Sequence, residues 1–445
     1  MLGGGFPAST IERGIALGAD VIAVDGGSTD SGPHYLGTST AKTARGAVVR
    51  DLGILIPAAK RAGIPLIVGS CGTAGTNRGV DWIREIVIEI ATSENLSLDV
   101  AYIYSEPDRS TLERKRAAGA IHPIAPATEL DAATLSNCAR VVGLMGHEPI
   151  ADALAHGAEI VLAGRATDTA LVAAFPLSRG LPAGPVWHGS KIAECGGLCT
   201  TNPRAGGVLV TFDEAGFSIE PLDPTANCTP MSVAAHMMYE NVDPYRMKEP
   251  GGTLDTRAAT YAAIDERRVR VEGSRFEGAA QHTIKLEGAR LVGFETLIIS
   301  GIRDPRILSR LDEWCDQVIA YLEDKIPATL GIDLKEIQMQ ILRYGHDAVL
   351  GASEPMSAEP PREVGIVFRV LAATQELATQ IAKLANPVLL HAPMPGDEEL
   401  PSFAFLGSPA EIERGPIHEF TLQHAVDVDR PDELTFTTYK RVGAS

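Results

Sequence analysis

With 445 residues, 45% of them hydrophobic, the chain is long enough for more than one core, and about 100–200 residues per domain predicts two or three. A formal charge of −18, with no basic patch interleaved by aromatics, argues against nucleic acid and anionic membrane surfaces as partners. Six scattered cysteines, no recognisable leader and no apolar run of about 20 residues are the pattern of a cytoplasmic protein without disulfides or membrane spans.

A glycine-rich lead-in, Gly3-Gly4-Gly5, precedes a helix capped by Ser9-Thr10, and it lacks the GxGxxG spacing of a dinucleotide fold. The stretch GADVIAVDGGSTDSGPHYLG at 18–37 then predicts a buried strand that runs into a turn. That turn carries Asp25, Gly26, Gly27, Asp30 and His34. Ligands in open α/β sheets sit outside the carboxyl ends of the strands, so these acids and the imidazole fall where a site belongs. Asp25 and His34 are candidate catalytic groups, and Gly26, Gly27 and Asp30 are candidate substrate contacts.

The pattern repeats. A helix over 43–62 leads to a strand over 64–68, which ends in GSCGTAGTN; Ser70, Gly72 and Thr73 of this loop could seat an anion on backbone N–H groups. Further strands are predicted over 98–104, 138–144 and 159–163, the last ending in Gly164-Arg165-Ala166-Thr167-Asp168. The planar fork of Arg165 suits a substrate carboxylate, with an ion pair to Asp168 as the plainer use of both. His147 also falls at a strand end, where a helix cap or a buried core histidine is as natural as catalysis.

From 181 the texture becomes polar and glycine-rich, and 187–202 reads as a long site-lining loop. Glu194 and Cys195 within it are candidates for acid/base or nucleophilic work. Cys195, Cys199, Cys228 and His188 lack the second half of a zinc pattern, and no metal ligands are assigned. A hairpin is predicted over 208–220 and antiparallel strands over 269–276 and 281–286. Beyond these come a strand over 293–300, a helix over 305–325, a strand over 338–344 and a β-α unit over 364–384. Proline-rich loops separate them at 354–362 and 391–403.

The predicted fold is α/β: a mostly parallel, Rossmann-like sheet over 1–184, a β-rich α+β region over 185–290 and a small C-terminal β-α layer within 291–445. Three functions fit. One is proton transfer on a small carboxylic acid or acyl thioester by a lyase, hydratase or isomerase; another is a metal-dependent hydrolase using Asp25, Asp30 and His34; the third is a non-catalytic subunit of a catabolic complex. The absence of GxGxxG and of GxSxG disfavours nicotinamide and serine chemistry, and no cofactor is identified. A homo-oligomer is expected on general grounds, with room for a small partner subunit.

The stretches GADVIAVDGGSTDSGPHYLG, VGSCGTAG, ECGGLCTTN, AAHMMYENVDPY with EPGGTLD, and VEGSRF together resemble the acyclic terpene utilisation protein A-like family. The resemblance spans about the first 280 residues and implies catabolism of small acyl or carboxylate compounds, without specifying a reaction.

Overall fold

The computed structural model describes residues 1–204, 206–355, 361–394, 396 and 403–443. The loops expected at 354–362 and 391–403 lie partly outside that set. The chain divides into two compact units, one made of Met1–Arg290 with Phe420–Ser445 and the other of Leu291–Glu419.

In the first unit, the strands Ile22–Asp25, Leu66–Gly69, Ile160–Ala163 and Ser97–Tyr104 lie side by side in that order, all parallel. Each is a short apolar run, because alternate side chains must be buried on opposite faces. Leu66, Val68, Val100, Tyr102, Ile160 and Leu162 pack under the helices Arg45–Ala62 and Asn77–Ser93. Ile67, Ala101, Ile103, Val161 and Ala163 pack under Glu148–Ala155 and Asp168–Ser178. All four carboxyl ends therefore open on one edge, and the loops that follow them meet there.

The fifth expected parallel strand departs from this sheet. Arg140–Leu144 pairs antiparallel with the long strand His282–Ile302, with Val142 opposite Glu287. The place beside Ser97–Tyr104 is taken by the C-terminal strand Phe436–Gly443, antiparallel, with Phe436 opposite Tyr104. Local hydrophobicity carries no information about such a distant competitor. Arg140–Leu144 still reaches the common edge, because Met145 bridges in parallel to Ala166.

The first part of the stretch expected as a long loop, 187–193, instead completes the helix Ala183–Ala193, which is buried along nearly its whole length. A helix enclosed on all sides shows no amphipathic period. Its glycines are the places of closest approach: a Cβ on Gly184 would lie 2.4 Å from the Ser274 carbonyl, and one on Gly189 would lie 2.5 Å from the Phe212 ring. The helix seats against a four-stranded antiparallel sheet that includes the expected hairpin, Val208–Phe212 with Gly216–Pro221. Arg246–Glu249, Gly252–Asp255 and Arg275–Gly278 form a further three-stranded sheet.

The second unit is an antiparallel sheet with the helices Leu311–Leu330 and Gln375–His391 on one face. Trp314, Val318, Leu322 and Ile381 close on Ile298, Ile366 and Phe368. Among the described residues, no helix is long and apolar enough to cross a membrane.

Candidate functional site

Asp25 ends the first parallel strand, in register with Gly69. The turn after it is pressed onto the neighbouring loop, backbone to backbone. A Cβ on Gly26 would lie 2.6 Å from the Gly69 carbonyl oxygen, and Gly27, at φ +141°, would place one 2.5 Å from Thr73 Cα. This contact is what the glycine pair permits. The Gly27 N–H donates to Asp25 Oδ1 at 2.9 Å. Burial, reinforced by the charge of Asp168, pushes the Asp25 carboxyl up to about 7.

The second loop holds Ser70, Gly72, Thr73 and Gly75 at positive φ. Two of its N–H groups are spent on the sheet, Ser70 to Gly164 O and Cys71 to Ala163 O. The loop is thus stitched to the end of Ile160–Ala163. Thr73 Oγ1 accepts the N–H of Lys42, whose Nζ reaches Ser31 at 3.5 Å. Gly75 sits against the Arg165 backbone, where a Cβ would fall 2.3 Å from the nitrogen. Gly75→Ala is expected to cost about 2–3 kcal/mol from left-handed strain and overpacking, read as a lower urea midpoint.

Arg165 is buried and its fork is fully engaged within the protein. Nε donates to Glu287 Oε2 at 3.0 Å, Nη1 to Ser70 Oγ at 3.3 Å and Nη2 to Thr29 Oγ1 at 3.3 Å. Thr29 Oγ1 in turn donates to Glu287, and Lys285 Nζ lies 2.9 Å from the other Glu287 oxygen. Burial would raise the Glu287 carboxyl, but Arg165 and Lys285 outweigh it and hold it near 2. The ion-pair partner of Arg165 is therefore Glu287 rather than Asp168. Strand pairing over a long sequence separation brings them together, which local reading could not supply.

Asp168 opens the helix Asp168–Ser178, behind its Thr167 cap. Burial raises its carboxyl despite the opposing charge of Arg165, and its Oδ1 has no hydrogen-bond partner. Asp30 is exposed, its carboxylate accepting from Ser28 Oγ, and its charge reaches Asp168. His34 is exposed on the short helix Pro33–Thr38, edge-on to Tyr35.

The buried helix delivers a second group to the same place. Lys191 forms an ion pair with Glu194, and burial nevertheless pushes that carboxyl up to about 8, with Asp168 and Glu249 adding to the rise. The adjacent Cys195 thiol is pushed up to about 12, chiefly by burial, so it is protonated at neutral pH and is no ready nucleophile. His188 is satisfied, bonded to Ser274 Oγ at 2.7 Å and Tyr261 OH at 3.1 Å. Glu249 contacts the Thr169 hydroxyl and is raised to about 7 by burial.

Buried polar atoms are nearly always paired, and several of the exceptions among the described residues lie in this region. Asp168 Oδ1, Ser190 Oγ, His236 Nε2 and Glu249 Oε2 have no hydrogen-bond partner, nor does His282 Nε2, while His147 Nδ1 and Glu148 Oε2 meet each other at 3.5 Å without a hydrogen bond. His147 stands edge-on to Trp187 at 5.5 Å, and burial lowers its imidazole to about 4. A set of unpaired donors and acceptors at the carboxyl ends of parallel strands is what a polar ligand would satisfy. By contrast, a cleft of about 490 Å³ lined by Ile64, Pro65, Leu98 and Glu159 opens where those strands begin, away from these groups.

Sequence reasoning missed Lys191, His236, Glu249 and Glu287 as site groups. His236 and Glu249 lie in two of the stretches that carry the family resemblance, AAHMMYENVDPY and EPGGTLD, so a signal existed.

No curated protein and no solved structure matches the chain. The family described as acyclic terpene utilisation family protein AtuA matches residues 41–178 and 219–399. The matched segments contain Ser70, Gly72, Thr73, Arg165, Asp168, His236, Glu249 and Glu287, whereas Asp25, Gly26, Gly27, Asp30, His34, Glu194 and Cys195 lie outside them. Covering most of its length, the match makes this chain a member of the AtuA family, whose description implies a catabolic role in acyclic terpene utilisation.

Proposed function

We propose that the protein is a catabolic enzyme that moves a proton on a small carboxylic acid or acyl thioester, as a lyase, hydratase or isomerase does. The reading rests on one observation above all: Asp25, at the end of its parallel strand, and Asp168, opening the helix after the strand Ile160–Ala163, are partly buried carboxyls that are both raised by burial, and the charge of Asp168 raises Asp25 further. Two carboxyls so placed cannot both ionise easily. The ionised member takes a proton beside the substrate carbonyl. The protonated member donates a hydrogen bond to the oxygen on which charge develops, then returns a proton.

The same proposal takes the parallel strands as a Rossmann-like layer that serves as scaffold. Arg165 then acts through its partners, fixing Ser70 and Thr29 and setting the potential at Asp25. A substrate carboxylate or thioester phosphate would meet an exposed cation at the rim, and Lys42 beside Ser31 and Thr73 is placed for it. Lys42→Met is expected to raise KM about 10-fold with little change in kcat, measured by steady-state kinetics.

The test is solvent exchange. The purified chain is incubated in D2O with short-chain acids and their thioesters, and deuterium incorporation next to the carbonyl is followed by mass spectrometry. Exchange that disappears in Asp25→Asn supports the reading; exchange that persists in that variant, or none with any compound of the panel, ends it.

A further inference from the structure

We propose that Glu194, Cys195 and His236 form a mononuclear site for a divalent transition-metal ion, zinc by the nature of its donors, with Asp168 and Glu249 beside it. The site goes beyond the proton-transfer reading and stands or falls separately from it.

One ligand atom from each of the three residues, a carboxylate oxygen, a thiol sulfur and an imidazole nitrogen, lies within 4.8 Å of the other two. Around a tetrahedral zinc, with bonds of about 2.0–2.3 Å, neighbouring ligand atoms stand about 3.3–3.5 Å apart. The second, independent observation is His236 itself, which is 3% exposed and whose Nε2 has no hydrogen-bond partner. A buried imidazole nitrogen left bare beside a thiol and a carboxyl is costly unless something occupies the space.

The fold supplies the three from different directions. Glu194 and Cys195 follow the C-terminal end of the helix Ala183–Ala193, and His236 is the last residue of Pro230–His236. Lys191, bonded to Glu194, remains as an outer partner that orients the carboxylate. On binding, the metal–sulfur bond replaces the Cys195 S–H bond, and that proton leaves to the buffer, so affinity falls as pH is lowered.

Three protein ligands leave a fourth position open, the arrangement of catalytic rather than structural zinc. Cys199, whose thiol donates to the Gly196 carbonyl at 3.3 Å, and buried Cys228 lie outside the three-residue cluster and serve as the controls.

The full chain, stripped with a chelator, is titrated with Co²⁺ and then Zn²⁺. One equivalent of Co²⁺ is expected, with a thiolate-to-metal absorption band that Zn²⁺ abolishes. Cys195→Ser should remove the band, and both Cys195→Ser and His236→Ala should weaken binding about 100-fold or more. Thermal unfolding of the metal-free variants confirms that they fold. Asp25→Asn should bind metal like the parent, so loss of proton transfer and loss of the metal site are read separately. Binding left unchanged in Cys195→Ser, a band lost instead in Cys199→Ser or Cys228→Ser, or no saturable binding by the parent chain overturns the proposal.

Discussion

Asp25→Asn is expected to lower kcat about 10³-fold while making the protein more stable at neutral pH. The amide keeps the shape of the carboxyl and its Oδ1 still accepts the Gly27 N–H, so the turn survives. The neutral amide also removes the like charge that Asp168 meets there. The sign of the stability change follows from the raised acid. Unfolded, Asp25 ionises near 3.8; folded, it ionises near 7, so the native state holds the proton more tightly between these values. Stability of the parent therefore falls as pH rises from about 4 to about 7. Asparagine removes that fall. Thermal melts should agree below pH 4 and diverge above pH 7, by up to about 4 kcal/mol from a shift of this size, read as a higher Tm for the variant. In the parent, kcat/KM should rise with pH through about 7 as the base ionises, and the residual activity of the variant should lack that limb. A variant that is both active and no more stable at pH 8 would remove Asp25 from the mechanism and from the buried carboxyl pair.

Much of this arrangement was legible in the sequence because its causes are local. Short apolar runs ending in glycine and acid predict buried parallel strands and their ligand-facing ends, and four of the five expected runs take those places. Asp25 and Asp168, chosen from separate strand ends, do converge, because parallel pairing aligns all the ends on one edge. What escaped was set by distant contacts. Arg140–Leu144 has the composition of its neighbours, yet the place it would occupy belongs to a strand near the other end of the chain. The part of Ala183–Ala193 from Trp187 on read as a loop because Gly189 answers to Phe212, not to helix propensity. Glu287 stands in a long antiparallel strand, and only the fold reveals that it faces Arg165.

That last pairing decides what Arg165 does. Arg165→Met is expected to destabilise the protein by about 3–5 kcal/mol, because it strands the Glu287 carboxylate in a buried place. Lys285 and the Thr29 hydroxyl remain as partners, which sets the expectation at the lower end of that range. Ser70 and Thr29 also lose their donor, so two loops at the strand ends loosen together. The double variant Arg165→Met/Glu287→Gln should recover most of the loss, since it leaves no unpaired buried charge. Denaturant unfolding of the parent, both single variants and the double variant gives the coupling directly. Removing the guanidinium also takes away a charge that lowers Asp25, so the pH midpoint of the remaining activity should move up. A substrate clamp behaves differently: it would leave stability untouched, raise KM and gain nothing from the second substitution. Parent-like stability in Arg165→Met with only KM altered would therefore make Arg165 the carboxylate clamp and release Glu287 from its role as partner.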